Sequence, residues 1–540
     1  MIMKHHAQQR YLAIICAVVL AGALVFAADI RGGVSDGARD GSGLIGGPYA
    51  LLLGASTDLG PATAEEVQLT AALRDHARPS DLMVWAGGVG LSVRWRQGDD
   101  WAIVEGAPED VSKALGVEVH DYRGQQGQVF YASPQQPAVP PNVRSVVGLG
   151  RIMSYTPHHM AMPTISPLPL DVPDQGLAPT ALRNSYNVAP LTAAGVTGKG
   201  TTIVIFGFDG FDQADLDMFA TSFDLPKFTP HVIGGMPTQR SGETTLDLEV
   251  AHAIAPDAKM VYVNARPTVS GDGPYEKIAA LLESVDQQFP GAVWSFSIGW
   301  GCDKLLTAAD LAPVRAALET AQSHGTTAFN ASGDLAGLEC KGGQDWSAPP
   351  SDDDVGLDAV ASVPEMTNVG GTTLSTNDQG GWLAEQAWFD VPLSQGTGGG
   401  VSSLFDRPPW QQQVLPDTSP DRRLIPDVSA VADAFTGVKI VFKQQVLVGG
   451  GTSQAAPIWA GMTAVMDQYM VENGGRLLGD LNPLLYAVAA GARLPSFRDV
   501  VLGGNAVSTA APGYDLVTGL GTPDVDNLAR SLLIAQAVAQ

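Results

Sequence analysis

Residues 201–210 read TTIVIFGFDG, an apolar run that breaks into glycine and aspartate. Similar runs recur downstream and are separated by segments of helical length. Strands that are apolar throughout are typical of a parallel sheet covered by helices on both faces. The C-terminal two thirds of the chain therefore predict an α/β fold, with sites at the carboxyl ends of the strands. The other runs are KMVYVNA, AVWSFSIG, TTAFNASG and MTNVGGTTL.

Length and charge limit the function classes. The chain has 540 residues, of which 45% are hydrophobic, enough for two or three domains with their own cores. Its formal net charge of -25 argues against nucleic acid and anionic membranes as partners, because both would be repelled. Such a surplus of carboxylates is tolerable in an acidic medium, where many of them are protonated.

The N-terminus has the pattern of an export signal. The basic segment KHHAQQR precedes an uncharged apolar run at residues 11–27 that ends in small residues. This pattern predicts a signal peptide over residues 1–27 and a secreted protein, with an uncleaved membrane anchor as the alternative. Only Cys302 and Cys340 lie beyond it, so the exported protein has at most one internal disulfide.

Two regions precede the apolar strands. Residues 50–149 alternate strand-like and helix-like segments and predict a compact α+β module. Within it, residues 62–77 (ATAEEVQLTAALRDHA) are expected to be helical and residues 82–88 (LMVWAGG) to form a strand. Residues 156–179 hold six prolines, so we expect an exposed linker open to proteolysis.

Residues 449–461, GGGTSQAAPIWAG, place a serine among glycines and small residues at the start of a helix. If Ser453 is a nucleophile, another side chain must accept its proton. A histidine oriented by an aspartate is one solution, and His324 in SHGTTAF with Asp209 in FGFDG would supply a subtilisin-like triad. Position argues against it, because His324 leads directly into the strand ending NASGD and so lies too close to that element.

The competing acceptor is a pair of carboxylates in SGETTLDLEVAHAIAPDA, residues 241–258. Glu243 and Asp247 are four residues apart and share one face of the predicted helix, while Leu246, Val250 and Ala253 form its buried stripe. Two close carboxylates in a cleft share a proton, so such a pair can accept a serine proton at acidic pH. A solvated acidic helix face, including Glu249, is the alternative.

These segments together resemble the sedolisin family of serine-carboxyl peptidases, which share the subtilisin fold and use Ser-Glu-Asp. GETTLDLEV resembles the family's Glu-x-x-x-Asp helix, which implies Glu243 as the base and Asp247 as its support. GGGTSQAAP resembles the Gly-Thr-Ser-x-x-x-Pro segment and implies Ser453 as the nucleophile. NASGDLAG resembles the segment with a third aspartate and implies Asp334 in the oxyanion hole, beside the Ser453 N–H.

The role implied for Asp334 has a consequence for pH. A carboxyl group can donate a hydrogen bond to an oxyanion only while it is protonated. The resemblance therefore implies an acid optimum.

The C-terminal residues 497–523, FRDVVLGGNAVSTAAPGYDLVTGLGTP, join two aspartates across a glycine-rich loop. Aspartates and turn carbonyls suit a hard cation, although an ordinary turn would look similar. The segment also resembles the sedolisin calcium loop. The resemblance implies one Ca²⁺ held by the carboxylates of Asp499 and Asp515 and the carbonyls of Val500, Ala511 and Gly513.

The resemblance extends upstream. Residues 45–150 resemble the sedolisin propeptide, which implies a ferredoxin-like prodomain that acts as chaperone and inhibitor of its own chain. Residues 151–179 then form the activation linker, with self-cleavage at low pH between Gly150 and Pro179. Residues 180–540 are the peptidase domain, with a subtilisin-like parallel sheet and helices on both faces.

One block departs from the family pattern. The substrate strand, Ser-x-Ser-Trp-Gly followed by glutamate, appears here as SFSIGWGCD. Ile298 takes the tryptophan position and Cys302 falls near the glutamate, which puts side-chain preference in doubt. Ser297 and Gly299 could still align a peptide through backbone hydrogen bonds. A disulfide between Cys302 and Cys340 is a hypothesis that would brace this pocket.

The first hypothesis is a secreted acid endopeptidase made as a zymogen, acting as a monomer on protein or peptide substrates. A tripeptidyl-peptidase of the same family is the near alternative. A neutral subtilisin-like protease that depends on His324, and a non-catalytic binding protein, are the other two.

Overall fold

The computed structural model of the chain describes residues 43–125, 127–155, 159–160, 176–269, 275–341, 351–390, 395–415 and 419–538. Gly47–Gln540 form one compact unit, which holds every element named below. The expected signal peptide lies outside the described residues. Within them, no helix has the length and apolar character needed to cross a bilayer.

The first part of the chain folds around its own core. Four antiparallel strands lie in the order β3-β4-β2-β7, two helices cover them, and β1, β5 and β6 form a separate sheet. Along the chain, the four strands and two helices follow a β-α-β-β-α-β path. The helices are α1 (Gly47–Gly54), α2 (Ser80–Gly88) and α3 (Pro108–Leu115), and the strands are β1 (Thr57–Pro61), β2 (Val67–Leu73), β3 (Ser92–Arg94), β4 (Trp101–Gly106), β5 (His120–Arg123), β6 (Val129–Ala132), β7 (Val146–Leu149) and β8 (His159–Met160).

Two local predictions in this region were wrong. Val67–Leu73, expected to be helical, is a strand at the centre of the sheet, between β4 and β7. Ser80–Gly88, which contains the expected strand LMVWAGG, is a helix with an acidic residue in its first turn. Pairing on both edges of β2 and burial of Leu69 and Leu73 outweigh the helix propensity of its alanines and leucines.

The remainder of the chain is built on an eight-stranded sheet, ordered β10-β11-β9-β12-β14-β15-β16, with β21 also paired to β15. All neighbours are parallel except β15 and β16, so the predicted α/β fold is confirmed. Its strands are β9 (Thr202–Gly207), β10 (His231–Ile233), β11 (Lys259–Asn264), β12 (Val293–Phe296), β14 (Thr327–Ala331), β15 (Thr367–Thr376), β16 (Trp382–Ala387) and β21 (Val428–Val431).

Short strands surround this sheet. They are β13 (Ile298–Gly299), β17 (Phe389–Asp390), β18 (Gln395–Gly396), β19 (Gly400–Asp406), β20 (Arg422–Ile425), β22 (Lys439–Phe442), β23 (Gln445–Val448), β24 (Phe497–Arg498) and β25 (Thr522–Pro523). The helices of this part are α4 (Pro179–Ser185), α5 (Ala189–Ala193), α6 (Gln213–Ser222), α7 (Glu243–Ile254), α8 (Arg266–Val269), α9 (Glu276–Gln288), α10 (Ala312–Ser323), α11 (Thr452–Glu472), α12 (Asn482–Gly491) and α13 (Val525–Val538).

The strand order reverses beside β9. The chain goes from β9 to β10 and β11 on one side, and then to β12, β14 and β15 on the other. In open parallel sheets, sites form at the carboxyl ends of the strands where such a reversal leaves a crevice. Asp209 follows the carboxyl end of β9, Ser297 that of β12 and Asp334 that of β14. The strands β9 and β12 border the reversal, and β14 lies next to β12.

Helices α7 and α11 pack closely on one face of the sheet. Their contact depends on Gly461, where an added Cβ would lie 2.8 Å from Ile254 Cβ and 3.0 Å from the Ala251 carbonyl oxygen. This close approach brings the start of α7 and the start of α11 to the same edge of the sheet.

Candidate active site

Ser453 is the second residue of α11 and is 0% exposed. The helix begins after Gly451, whose φ of 89° is in the left-handed region that favours glycine. Among the described residues, neither the Ser453 hydroxyl nor its N–H has a hydrogen-bond partner. The start of a helix carries partial positive charge and free N–H groups, so an oxyanion at this point would be stabilised.

Glu243 and Asp247 lie one turn apart at the start of α7 and are 4% and 0% exposed. Both Glu243 carboxyl oxygens and Asp247 Oδ2 make no hydrogen bond with the described residues. Burial, and then the charge of Asp247, raise the pKa of Glu243 well above its usual range. Burial also raises the pKa of Asp247. The two carboxyl groups therefore titrate as a coupled pair whose pKa values lie above the ordinary range of a carboxylic acid.

Ser453 lies close to this pair. Its hydroxyl favours the ionised form of Glu243 and so opposes the rise in the Glu243 pKa, although no hydrogen bond of normal geometry joins them. The charge of Asp334 also acts on Glu243 and raises its pKa. The structure thus brings the four predicted catalytic residues into one site.

Ser297 joins the two helices of the site. Its hydroxyl lies 2.9 Å from Asp247 Oδ1 and 3.1 Å from the carbonyl oxygen of Ser453. This hydrogen bond favours the ionised form of Asp247. Sequence reasoning had assigned Ser297 to the peptide strand alone, because the distance between α7 and β12 is not visible in the sequence.

Asp334 faces the start of α11. Its Oδ1 accepts hydrogen bonds from the N–H and the hydroxyl of Thr452, both at 2.7 Å. Its Oδ2 lies where a Cβ on Gly451 would come within 2.8 Å. Burial raises the pKa of Asp334, and the hydrogen bonds from Thr452 oppose that rise. The role of Thr452 was missed, although its place beside Ser453 was a signal that could have found it.

The peptide strand predicted at Gly299 is paired in this structure with the chain's own linker. Ile298 pairs with Met160 and Gly299 with His159, in antiparallel register. The linker backbone therefore adds a strand where a bound peptide was expected. Most of the proline-rich segment that follows lies outside the described residues.

The histidine alternative does not fit the geometry. His324 ends α10 at the amino end of β14, and its Nδ1 lies 2.7 Å from Asp286 Oδ2. Asp334 follows the carboxyl end of the same five-residue strand, so roughly 15 Å separates the two sites. The other two histidines downstream of the linker are also remote, since His231 lies on β10 and His252 lies nine residues beyond Glu243 on α7.

The two cysteines form a disulfide between Cys302 and Cys340. This pairing was a hypothesis from the sequence, and it ties the segment after β13 to the loop that carries Asp334. Cys302, Asp303 and Cys340 are also the one group of three candidate metal ligands found among the described residues. Because both sulfur atoms are in the disulfide, the group is not a metal site.

The predicted calcium loop is closed by its aspartates. Asp499 Oδ2 accepts the N–H of Gly513, and Asp515 Oδ2 accepts the N–H of Ala511, each at 2.9 Å. Within the described part of the chain, the carbonyl oxygens of Val500, Ala511 and Gly513 accept no hydrogen bond. Val500 is 2% exposed, so its unpaired carbonyl is the one that lacks easy access to water.

Comparison with known proteins identifies the family. No family model matches the chain. Kumamolisin from Bacillus sp. (strain MN-32) is 30% identical over 475 residues, which are 81% of this chain and 80% of kumamolisin. The chain belongs to the sedolisin family. Tripeptidyl-peptidase 1 from Mus musculus is 27% identical over 77% of this chain and 76% of its own sequence.

A solved structure agrees with this assignment. Pseudomonas sedolisin, a serine-carboxyl proteinase complexed with two molecules of pseudo-iodotyrostatin, matches with a TM-score of 0.55 and 26% identity. The match covers 66% of this chain and 97% of that chain. Membership of the sedolisin family makes this chain a serine-type peptidase, a hydrolase of the serine-carboxyl class.

Proposed function

We propose that this chain is a secreted, acid-acting serine-carboxyl endopeptidase made as a zymogen. The observation that carries the proposal is the buried pair of Glu243 and Asp247, which the Ser297 hydroxyl connects to the helix of Ser453. Two adjacent buried carboxyl groups whose oxygens are largely unpaired lower the stability of the folded protein, so stability does not explain their presence. A function does explain it, because a carboxyl pair that shares a proton can accept the hydroxyl proton of the nucleophile Ser453.

In the proposed reaction, Ser453 Oγ attacks the carbonyl carbon of a peptide bond while Glu243 takes the hydroxyl proton. Asp247 supports Glu243, and the negative oxygen of the tetrahedral intermediate is stabilised by the Ser453 N–H and by protonated Asp334. When the intermediate collapses, the C–N bond breaks and the leaving amine takes the proton from Glu243. Water then repeats the sequence, frees the acid product and restores Ser453.

This chemistry limits the working pH from both sides. Glu243 must be ionised to act as a base, and Asp334 must be protonated to donate to the oxyanion. Both pKa values are raised above the ordinary range of a carboxylic acid. Activity is therefore expected in a pH window that is bounded below by the titration of the Glu243 and Asp247 pair and above by that of Asp334, and the family resemblance implies that this window is acidic.

The zymogen form is supported by the linker and by ion pairs. The linker strand at His159–Met160 covers β13, so a substrate peptide cannot pair there until the linker leaves. Arg94 and Arg96 of the prodomain each form a bidentate pair with a glutamate of α9, Glu276 and Glu283. These pairs join the prodomain to the part of the chain that holds the site, as an intramolecular inhibitor requires.

A tripeptidyl-peptidase is the second candidate, favoured by the similarity to tripeptidyl-peptidase 1. The two activities differ in whether a peptide with a blocked N-terminus is cut in mid-chain. An endopeptidase cleaves such a peptide, whereas a tripeptidyl-peptidase needs the free amino group.

We also propose one Ca²⁺ at the C-terminal loop, held by the carboxylates of Asp499 and Asp515 and the carbonyls of Val500, Ala511 and Gly513. The unpaired Val500 carbonyl and the hard oxygen donors support this ligand set. The ion would fix the loop and take no part in the reaction. Chelation should lower the melting temperature of the wild type but not of Asp499→Asn, and identical melting curves with and without Ca²⁺ would reject the site.

The function is tested by proteolysis of a denatured protein from pH 3 to 8 after acid incubation. Wild type should be active only on the acid side, and Ser453→Ala and Glu243→Gln should both be inactive. Activity that peaks near neutrality and survives Glu243→Gln would mean that the proton acceptor is wrong. No activity at any pH would favour a binding protein.

A further inference from the structure

Asp209 follows β9 at the carboxyl edge of the sheet and is 0% exposed. Its Oδ2 accepts the N–H groups of Ser241 and Gly242 at 2.8 and 3.0 Å and the Ser241 hydroxyl at 2.6 Å. Its Oδ1 accepts the N–H and the hydroxyl of Thr244 at 3.0 and 2.6 Å. One buried carboxylate therefore holds the residues on both sides of Glu243.

This contact determines where α7 begins. The first N–H groups of a helix have no partner within the helix, and here a carboxylate from the neighbouring strand supplies one. Gly242 has a φ of 107°, so the chain turns sharply just before Glu243. The Glu243 carboxyl oxygens make no hydrogen bond with the described residues. The position of Glu243 is therefore set through the backbone of its neighbours Ser241, Gly242 and Thr244, whose N–H groups Asp209 holds.

We propose that Asp209 is a positioning residue for the base Glu243, acting through the start of α7 and through its own negative charge. The inference rests on the proposed function, because it assigns Asp209 a role in that reaction. Sequence reasoning had placed Asp209 only in the rejected triad with His324.

The charge of Asp209 acts on both members of the carboxylate pair. After burial, it contributes to raising the pKa of Glu243 and of Asp247. Losing this charge should lower the Glu243 pKa and leave the base ionised at lower pH. Of the other polar and charged groups here, Ser453 and Asp334 act on Glu243, and the Tyr262 hydroxyl donates to the Asp209 carbonyl oxygen. Arg240 and Arg266 act on Tyr262 and oppose the rise in its pKa.

The simple alternative is that Asp209 only caps the N-terminus of α7 and has no influence on the base Glu243, since anions are favoured at any helix N-terminus. The two hypotheses predict different effects of pH on the activity of an Asp209 variant. Loss of a cap alone lowers activity at every pH, whereas loss of a charge beside Glu243 also moves the acid limb of the pH profile.

The test compares wild type with Asp209→Asn in kcat/KM against pH, on a blocked peptide without ionisable groups. If the variant does not process itself, active wild type can remove its prodomain in trans. We expect the acid limb to move to lower pH and kcat/KM at the optimum to fall roughly tenfold, as for other residues that hold a reactive group in place.

Asp215→Asn is the matched control. Asp215 is also buried and accepts two backbone N–H groups, from Lys443 and Gln444 at 2.9 and 2.8 Å. Its charge acts on Glu249, so its acid limb should stay with that of wild type. An acid limb that does not move in Asp209→Asn, or that moves equally in Asp215→Asn, overturns the proposal.

Thr244→Val and hydrogen exchange provide two further measurements. Thr244→Val removes one hydroxyl from Asp209 and leaves the charge, so it should lower kcat/KM without moving the acid limb, even if Asp209→Asn does not fold. If wild type has no peptidase activity, the proposed function fails, and hydrogen exchange of residues 241–248 still reports on positioning. Exchange there that is no faster in Asp209→Asn than in Asp215→Asn overturns the inference by itself.

Discussion

At the residue scale, the chemistry of the site depends on burial that residue types alone do not reveal. Glu249 shows this best, because a solvated acidic face was an open interpretation for it. It is 0% exposed and accepts the Val441 N–H at 2.6 Å. Burial raises its pKa well above the usual range, as it does for Glu243. Glu249 and Glu243 are the same residue type and are both buried, so only their neighbours distinguish them. Glu249 binds the β22–β23 hairpin, whereas Glu243 lies beside Ser453.

The role of Asp334 predicts the effect of Asp334→Asn. The amide oxygen can still accept from Thr452, and the amide nitrogen takes the place of Oδ2 and donates at every pH. The wild type should lose activity as pH rises through the raised Asp334 pKa, because the oxyanion donor is then ionised. In the variant we expect activity to extend toward neutral pH, with less than about a tenfold loss at the acid optimum.

The measurement is kcat/KM on a blocked peptide from pH 3 to 8. Asp467→Asn is the control, since Asp467 is a buried acid that bonds to Leu478 N–H on a different element. An alkaline limb at the same pH in wild type and Asp334→Asn would exclude Asp334 from the oxyanion hole.

At the element scale, the site depends on how closely α7 and α11 pack. The predicted stripe of Leu246, Val250 and Ala253 is buried, but so is every other residue of α7. The helix packs against α11, α6, α4 and the β22–β23 hairpin as well as the sheet, which leaves no solvated face. Helical periodicity predicts one buried side and cannot predict that later elements cover the other.

The packing predicts opposite effects for two glycine substitutions. Gly461→Ala places a methyl group 2.8 Å from Ile254 Cβ, so the helices must separate, at about 1–3 kcal/mol of unfolding free energy. Gly491→Ala, at the end of α12, meets no atom within 4 Å and should be neutral or stabilising by up to about 1 kcal/mol. Urea unfolding and kcat of both variants check this. Equal stability and activity would mean that the close approach is not needed.

At the scale of the whole molecule, three buried acids make a contribution to stability that depends on pH. Burial raises the pKa of Asp358 and of Asp467 to about 7 and that of Asp480 to about 6. Between their unfolded values and these values, the folded protein binds more protons than the unfolded chain. The contribution of these three acids to stability is therefore largest at acid pH and falls as pH rises toward 7.

The fall in the stability contribution of these acids with rising pH predicts the effect of Asp467→Asn. The amide oxygen can still accept the Leu478 N–H at 2.9 Å, and the variant carries no charge at neutral pH. It should gain a few kcal/mol over its parent at pH 7.5 and little at pH 4, because about three pKa units correspond to about 4 kcal/mol. Denaturant unfolding in the Ser453→Ala background avoids self-digestion. Asp526→Asn is the control, because it also removes a carboxylate but from an ion pair with Arg530 at the surface.

Much of this protein could be predicted from its sequence. Continuous apolar strands alternating with helices indicated the parallel sheet, and local segments around Ser453, Glu243 and Asp334 indicated the family. Such patterns are local, because helix spacing, strand periodicity and motif spacing each involve a few consecutive residues. Local propensity failed at Val67–Leu73, where pairing with β4 and β7 determined the structure.

The tertiary structure alone decided which distant residues meet. It excluded His324 by placing it at the opposite end of β14, and it joined Asp247 to Ser453 through Ser297. It also changed Asp209 from a possible triad member into the carboxylate that holds the start of α7. The physical reason is that burial, charge coupling and hydrogen bonding depend on separations in space, and residues 30 to 200 positions apart acquire those separations only when the chain folds.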